Sequence, residues 1–313
     1  MEIEDFKRLG LHLPYPPMQD MNGRSNMELL DALNVAEDAQ YTVCPEAQPG
    51  DDVPRGHFEI LKDWSDTENY AGTYRDIGVY LPPDVVPNEE LGLLVCNDGL
   101  MYAASDGPVR ATGVLDTLIE NGDVPRLAAV FAMPGRLTRA RSDNPADVSP
   151  DDMNQRSVEY DSLTPKYGEF LVNEVLPAIA AAVGVVFTSD PTMRAIAGIS
   201  SGGICAFNTA WHWPDYFQRV LSHCGSFVNI RGGHNYPYLV RSTARKPVRV
   251  YLTSGAKDGN IILGNWPLAN QQMASALEFA GYDYRFEFGE GGHSLAHGGA
   301  LFADSLRWLF RTT

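Results

Sequence analysis

Residues 193–207 read Met193-Arg-Ala-Ile-Ala-Gly-Ile-Ser-Ser-Gly-Gly-Ile-Cys-Ala-Phe207, and this stretch decides the fold. Its run Ala195–Ala197 is short and apolar, as in a fully buried parallel strand. Apolar residues then recur at helical spacing, and Pro214 ends that pattern. Between them, Gly198-Ile-Ser-Ser-Gly202 matches Gly-x-Ser-x-Gly, a sharp strand-to-helix turn that exposes a serine hydroxyl. The stretch therefore predicts a strand, a turn carrying a candidate nucleophile, and a helix.

Two adjacent serines compete for the exposed position of this turn. Ser200 has a glycine two residues before it and two residues after it, whereas Ser201 has Ile199 where the turn leaves no room for a side chain. We therefore predict Ser200 as the nucleophile. A serine between glycines is also an ordinary turn residue, so the motif needs chemical partners elsewhere in the chain.

Strands and helices alternate along most of the chain, and this alternation is typical of a mostly parallel sheet with helices on both faces, an α/β fold. We predict a catalytic domain over residues 56–313. We predict that residues 1–55 form an N-terminal arm, with a short helix from Asn26 to Ala36, that packs on this domain or on a neighbouring subunit. Two connections, 134–165 and 226–247, are long enough to be loops over a cleft. The predicted strands are 75–81, 91–96, 127–132, the run 195–197, 219–224, 248–253 and 284–288. The predicted helices are 114–121, 167–183 with a kink at Pro177, the helical pattern 204–211, 267–280 and 299–310.

The composition limits the classes of function. The 313 residues carry a net charge of -16, which makes nucleic acid an improbable partner because phosphate binding needs clustered cations. No segment approaches the roughly 20 apolar residues of a membrane helix, and residues 1–10 lack the features of a signal peptide, so we expect a cytoplasmic protein. The four cysteines form no Cys-x-x-Cys pair and are expected to be buried thiols.

A serine nucleophile needs a base, and the base needs a carboxylate that orients it. Asp258 follows the predicted strand that ends at Thr253, and His293 follows the strand that ends at Phe288. Each residue alone is a common turn former. Together they give the chain order serine, acid, histidine at three strand ends, which predicts a Ser-His-Asp triad.

Two backbone amides are candidates for stabilising an oxyanion. One belongs to Ser201, directly after the nucleophile, and the other to Leu100, after the turn Asn97-Asp-Gly99. His293 and His297 are spaced like a helical zinc pair, but the glutamate of the His-Glu-x-x-His signature is missing. We therefore expect neither a metal nor a cofactor.

In these motifs the chain resembles the Putative esterase family of the α/β-hydrolases, which includes enterochelin esterases, feruloyl and acetyl-xylan esterases and esterase D. The resemblance covers residue 54 to the C-terminus and is strongest for enterochelin-esterase-like proteins often labelled gluconolactonase. It implies Ser200 as nucleophile, His293 as base and Asp258 as acid. The matching segments are Asn97–Leu100, Arg156–Tyr160, Ala197–Gly203, Gly225–His234, Gly255–Asp258, Gly264–Asn270 and Gly291–Ser294.

We expect a serine hydrolase that cleaves a small-molecule ester or lactone through an acyl-enzyme. Candidate substrate-binding residues are Asp98, Arg231, His234 and Trp266, since an aromatic wall with polar donors suits a sugar-like or aryl ester. The alternatives are an acyltransferase that uses the same triad, and a sugar- or protein-binding module without activity. The oligomeric state stays open, with a homodimer as one alternative.

Overall fold

A computed structural model describes residue 23, residues 35–140 and residues 149–312, and these form a nine-stranded sheet. The strand order is β1-β2-β4-β3-β6-β7-β8-β11, with β5 beside β3. Strand β2 is antiparallel to β1 and β4, and the remaining pairs in the sheet are parallel. The strands are β1 (His57–Trp64), β2 (Arg75–Leu81), β3 (Glu90–Asn97), β4 (Leu127–Ala132), β5 (Val186–Phe187), β6 (Arg194–Ile199), β7 (Arg219–His223), β8 (Arg249–Gly255), β9 (Asn260–Ile261), β10 (Gly264–Asn265) and β11 (Asp283–Gly289), of which β9 and β10 pair separately.

Helices cover both faces of the sheet, which confirms the predicted fold class. None of the described helices combines the length and the apolar character needed to cross a bilayer. The helices are α1 (Gly99–Ala103), α2 (Ala111–Glu120), α3 (Pro150–Tyr160), α4 (Lys166–Phe170), α5 (Leu176–Val183), α6 (Ser201–His212), α7 (Tyr236–Ser242), α8 (Trp266–Phe279), α9 (Ala296–Ala300) and α10 (Phe302–Phe310).

The central strands are apolar on both sides because each side supports a separate core. Ile196 and Val220 face the layer that contains α4 to α8, whereas Ala197 and Leu221 face the layer that contains α1, α2 and α10. Alternate residues of a strand point to opposite faces, so a strand buried on both faces is a continuous apolar run. This explains why the central strands were predictable from the sequence.

Two expectations need correction, and one strand was missed. The connection 134–165 is not a loop throughout, since its second half holds α3, which Ser149 caps by accepting a hydrogen bond from the amide of Asp152. The helix expected over 167–183 is interrupted by a π-helical segment, Leu171–Val175, just before Pro177. Strand β1 is missing from the sequence prediction, because none of its residues is fully buried and they lack a regular apolar alternation. Most of the helix expected over 26–36, and residues 141–148 of the first long connection, lie outside the described residues.

Residues 35–47 pack against α2 and α10. Cys44 and Ala47 are buried in the core layer beside α2, and Glu46 forms an ion pair with Arg307 at 2.7 Å. The hydroxyl of Thr117 donates to the carbonyl of Glu46 at 2.8 Å. The division of the chain into an arm of 1–55 and a domain of 56–313 stays a prediction.

Candidate active site

Strand β6 and helix α6 meet in a turn whose backbone is strained at Ser200. Its φ of 58° and ψ of -122° lie outside the regions that most residues with a side chain adopt. A Cβ at Gly198 would lie 2.2 Å from the carbonyl oxygen of Gly202, so the strand and the helix meet this closely only without side chains. The turn therefore presents Ser200, while Ser201 is buried as the first residue of α6.

Ser200, His293 and Asp258 form a continuous hydrogen-bonded chain. The Oγ of Ser200 lies 2.9 Å from Nε2 of His293, and Nδ1 of His293 lies 2.5 Å from Oδ1 of Asp258. The three residues follow the carboxyl ends of β6, β11 and β8, which meet at one edge of the parallel sheet. Asp258 as acceptor fixes the Nδ1–H tautomer, which leaves Nε2 free to accept the hydroxyl proton of Ser200.

Asp258 is buried and held in place by its own neighbours. Its Oδ1 accepts a hydrogen bond from the amide of Gly259 at 2.5 Å, and its Oδ2 accepts one from the hydroxyl of Ser254 at 3.3 Å. These donors stabilise a carboxylate that is only 3% exposed. A buried, ionised carboxylate of this kind stabilises a positive charge on the imidazole that it touches.

Ser201 and Leu100 both lie in the first turn of a helix, where backbone amides have no partner inside the helix. The first turn of α6 is bonded to the end of β3, just before α1, because the side-chain amide of Asn97 donates to the carbonyl of Gly202 at 3.0 Å. Asp98, just before α1, adopts the left-handed conformation that starts this helix. The arrangement is compatible with the two expected oxyanion donors, whose assignment stays a prediction.

Of the four substrate-binding candidates, Trp266 contacts the hydrogen-bonded chain directly. Its ring packs edge-on against His293, with the ring centres 5.5 Å apart, and its Nε1 donates to Ser226 at 3.3 Å. Ser226 was not singled out from the sequence, yet its hydroxyl lies 3.2 Å from the hydroxyl of Ser200. Ser226 lies three residues after β7, the strand that pairs with β6 just before Ser200, and this position is the signal that could have found it.

The other three candidates differ in their surroundings. Both carboxylate oxygens of Asp98 accept hydrogen bonds from Arg156, at 2.9 and 2.7 Å, so this carboxylate is already neutralised within the protein. Arg231 is half-buried and donates to Ser157 at 3.2 Å. Burial lowers the pKa of Arg231, and the nearby carboxylate of Asp161 partly offsets this. His234 is exposed in a short 3₁₀ turn, Gly233–Asn235.

Asp161, a second buried carboxylate that the sequence did not reveal, lies close to α6. It is 1% exposed, and burial raises its pKa above the ordinary value, against the opposing charge of Arg156 and the hydroxyls of Ser157 and Ser201.

Cys224 completes the buried surroundings of the acid. The ligand atoms of Cys224, Asp258 and His293 all lie within 4.8 Å of one another, a grouping that could also hold a metal ion. However, burial and then the charge of Asp258 raise the pKa of the Cys224 thiol well above its ordinary value. Asp258 and His293 are also hydrogen-bonded to each other and to Gly259 and Ser200, so they fit an acid–base chain better than a metal centre.

Comparison with known proteins identifies the family. The family model described as Putative esterase matches residues 69–309. An Iron(III) enterobactin esterase of Dickeya dadantii is 30% identical over 153 residues, which are 44% of this chain and 33% of that protein. The matched segment thus spans a third of the length of this relative.

Solved structures show the same fold. The enterobactin esterase of Shigella flexneri aligns with a TM-score of 0.62 at 22% identity, over 84% of this chain and 62% of that chain. A ferulic acid esterase of Anaeromyces mucronatus aligns with a TM-score of 0.60 at 12% identity, over 85% of this chain and 95% of that chain. With its sheet order and the extent of the family match, the chain belongs to the Putative esterase family of the α/β-hydrolases.

Proposed function

We propose that the protein is a serine esterase that hydrolyses carboxylic esters of small molecules, lactones included. The observation that carries this proposal is the hydrogen-bonded chain from Ser200 through His293 to Asp258, with distances of 2.9 and 2.5 Å. Membership of an esterase family supports it, as do relatives named as esterases of enterobactin and ferulic acid.

The first half of the reaction forms an acyl-enzyme. Nε2 of His293 accepts the hydroxyl proton while Oγ of Ser200 attacks the ester carbonyl carbon, which gives a tetrahedral oxyanion. The amides of Ser201 and Leu100 donate to that oxyanion, and Asp258 stabilises the imidazolium. His293 then returns the proton to the departing alcohol as the C–O bond breaks.

The second half releases the acid. His293 removes a proton from water, whose oxygen attacks the acyl carbon, and the collapse of the second oxyanion restores the Ser200 hydroxyl. The indole of Trp266 packs against His293, and Arg231 lies near Asp161, which neighbours Ser201. We therefore expect acyl groups that combine an aromatic or ring-shaped body with polar substituents. No step uses a cofactor.

Two adjacent serines allow a matched test. Ser200→Ala should abolish turnover of p-nitrophenyl acetate and labelling by a fluorophosphonate, because the attacking oxygen is gone. Ser201→Ala keeps its backbone amide and should retain most of the activity. The proposal is wrong if Ser200→Ala keeps wild-type turnover, or if the wild type is not labelled at Ser200.

The same assay separates the alternatives. Chelation should leave the activity unchanged, since the proposed steps use no metal. Adding a primary alcohol should divert little of the acyl group from water; a dominant ester product would instead indicate an acyltransferase.

A further inference from the structure

A cationic cleft lies at the edge of the sheet opposite to Ser200. It has a volume of ≈ 490 Å³ and is formed at the amino ends of β7, β8 and β11. Five basic side chains line it, whereas Asp283 is its one acidic lining residue within the described part of the chain. Such a concentration of positive charge is unexpected in a protein with a net charge of -16. The basic residues are Arg219, Arg245, Lys246, Arg249 and Arg311.

Strand register brings three of these charged residues side by side. Arg219 of β7 is the register partner of Arg249 in β8, and Arg249 is the register partner of Asp283 in β11. Neighbouring like charges in a sheet are destabilising unless something compensates them. The sheet therefore holds two guanidinium groups together at one end of the cleft.

The single carboxylate is already used by two of the arginines. Asp283 accepts hydrogen bonds from Arg249 at 2.6 Å and from Arg311 at 2.7 Å. Arg249 also donates to the carbonyls of Leu309 and Arg311, so its guanidinium holds the start of β8 against the C-terminal end of α10.

Arg219 lacks a comparable partner. It donates to the carbonyl of Gln218 at 3.1 Å, but its buried Nε has no hydrogen-bond acceptor among the described residues. Burial, followed by the charge of Arg249, lowers its pKa to about 10, and the more distant charges of Asp190 and Asp283 offset this only in part. The environment thus leaves the positive charge of Arg219 under-compensated.

Two further cations at the rim are also without an acidic partner. Arg245 is exposed and donates to the carbonyl of Gly281 at 2.7 Å, and Lys246 lies over the ring of Trp211 at 4.7 Å. Among the residues that the structure describes, no carboxylate forms an ion pair with Arg245 or Lys246. Arg219, Arg245 and Lys246 therefore supply three charges that a bound anion could neutralise.

We propose that this cleft binds a multivalent oxyanion of the phosphate class, either free or as the phosphate groups of a small metabolite. Guanidinium groups match the geometry of phosphate oxygens and bind them in pairs of hydrogen bonds. The volume of the cleft suits a small ligand, and the strongly negative charge of the whole protein opposes the approach of a nucleic acid. The site is separate from Ser200 and does not depend on the esterase assignment.

Calorimetric titration with inorganic pyrophosphate at constant ionic strength tests the proposal. The wild type should bind in a 1:1 ratio, and Arg219→Gln and Arg245→Gln should each weaken binding about tenfold, since each removes charged hydrogen bonds. Arg245 is exposed, so its replacement should leave the fold intact even if that of Arg219 does not. Arg139→Gln, which removes an exposed arginine beyond the carboxyl end of β4 and so at the other edge of the sheet, should bind like the wild type.

Two further arms complete the experiment. Ser200→Ala should bind pyrophosphate as well as the wild type, which would place the anion away from the candidate active site. Adenosine diphosphate distinguishes the two sources, because binding tighter than that of pyrophosphate indicates a phosphorylated metabolite and weaker binding indicates the free anion. The proposal is overturned if the wild type does not bind pyrophosphate, if Arg245→Gln binds it equally well, or if single-stranded DNA binds instead.

Discussion

The carboxylate of Asp38 accepts a hydrogen bond from the hydroxyl of Ser294 at 2.7 Å. Its other oxygen accepts one from the amide of Gly292 at 2.9 Å, so Asp38 holds the residues on both sides of His293. Tyr41 extends this contact, since its hydroxyl accepts a hydrogen bond from the amide of Glu290 at 3.0 Å. These two N-terminal residues precede the segment that the family model matches, residues 69–309. The loop that carries His293 is thus held in place by residues outside the segment that the family model matches.

We predict that Asp38→Ala lowers kcat for p-nitrophenyl acetate about tenfold and leaves KM nearly unchanged. Without its two acceptors the loop should sample conformations in which His293 is displaced from Ser200, and a displacement of about 1 Å is enough for a loss of this size or more. Steady-state kinetics and the rate of fluorophosphonate labelling measure the effect.

Glu37→Ala is the matched control for this variant, because Glu37 is an exposed acid in the same 3₁₀ turn, Ala36–Gln40. It should keep wild-type kinetics. Asp38→Asn retains an acceptor for the Gly292 amide and should recover part of the rate. Equal losses in Glu37→Ala and Asp38→Ala would show that the turn acts through general stability instead.

A second prediction concerns Ser226, whose hydroxyl accepts from Nε1 of Trp266 and lies 3.2 Å from Oγ of Ser200. With one lone pair occupied by the indole, the Ser226 proton is free to be donated to Ser200. Ser226→Ala should therefore lower kcat about tenfold, the cost of one hydrogen bond to an atom that gains charge. Ser222→Ala removes a buried hydroxyl that has no hydrogen-bond partner in the described part of the chain, and it should leave kcat unchanged. Wild-type kcat in Ser226→Ala would contradict this assignment.

The sequence predicted the parts of the fold that follow local rules. The strands β3, β4, β6 and β8 are apolar on both faces, so composition alone marks them. The strand-to-helix turn at Ser200 is equally recognisable in the sequence. Its backbone strain and the close approach of Gly198 to Gly202 require glycines at fixed spacing. The order of Ser200, Asp258 and His293 along the chain then follows from the topology of parallel strands.

Contacts between distant parts of the chain could not be predicted from local sequence patterns. Asp38 and Ser294 are 256 residues apart, and nothing in either segment indicates the other. Arg156 lies close to Glu159 in the sequence but bonds to Asp98, while Glu159 bonds to Arg75. Such pairings depend on how helix α3 lies across the sheet, which the sequence pattern does not encode.

The buried ion pair between Arg75 and Glu159 leads to a prediction about stability. Both side chains are 0% exposed, and they form two hydrogen bonds at 2.7 and 3.1 Å. Glu159→Gln leaves the Arg75 charge buried without its counter-ion, which should lower the free energy of unfolding by about 3–5 kcal/mol. Urea denaturation at pH 7.5 measures this loss.

The double variant Arg75→Met/Glu159→Leu is the control, because it removes both charges and keeps apolar volume. It should be more stable than Glu159→Gln, since replacing a whole buried pair is often neutral or stabilising. A loss below about 1 kcal/mol in Glu159→Gln would mean that water or a neighbour compensates Arg75.

The last prediction concerns acid stability and rests on His223 at the end of β7. This imidazole is fully buried; Nδ1 contacts the hydroxyl of Thr253 at 3.1 Å, and Nε2 has no partner among the described residues. Burial, with a smaller contribution from His297, lowers its pKa from 6.5 to about 3. Between these values the unfolded chain binds a proton that the folded chain does not, so stability is lost as the pH falls from 6.5 towards 3. At pH 5 the loss from this one group should reach about 2 kcal/mol.

Unfolding in urea at pH 7.5, 6.5 and 5 should show this loss as a slope. His223→Gln should be less stable than the wild type at pH 7.5 but should lose less free energy between pH 6.5 and 5. Some slope should remain, because burial also lowers the pKa of His212 and His297. His57→Gln alters a side chain that is 69% exposed and should keep the wild-type slope. A parallel pH dependence in His223→Gln and the wild type would show that His223 binds its proton in the folded protein.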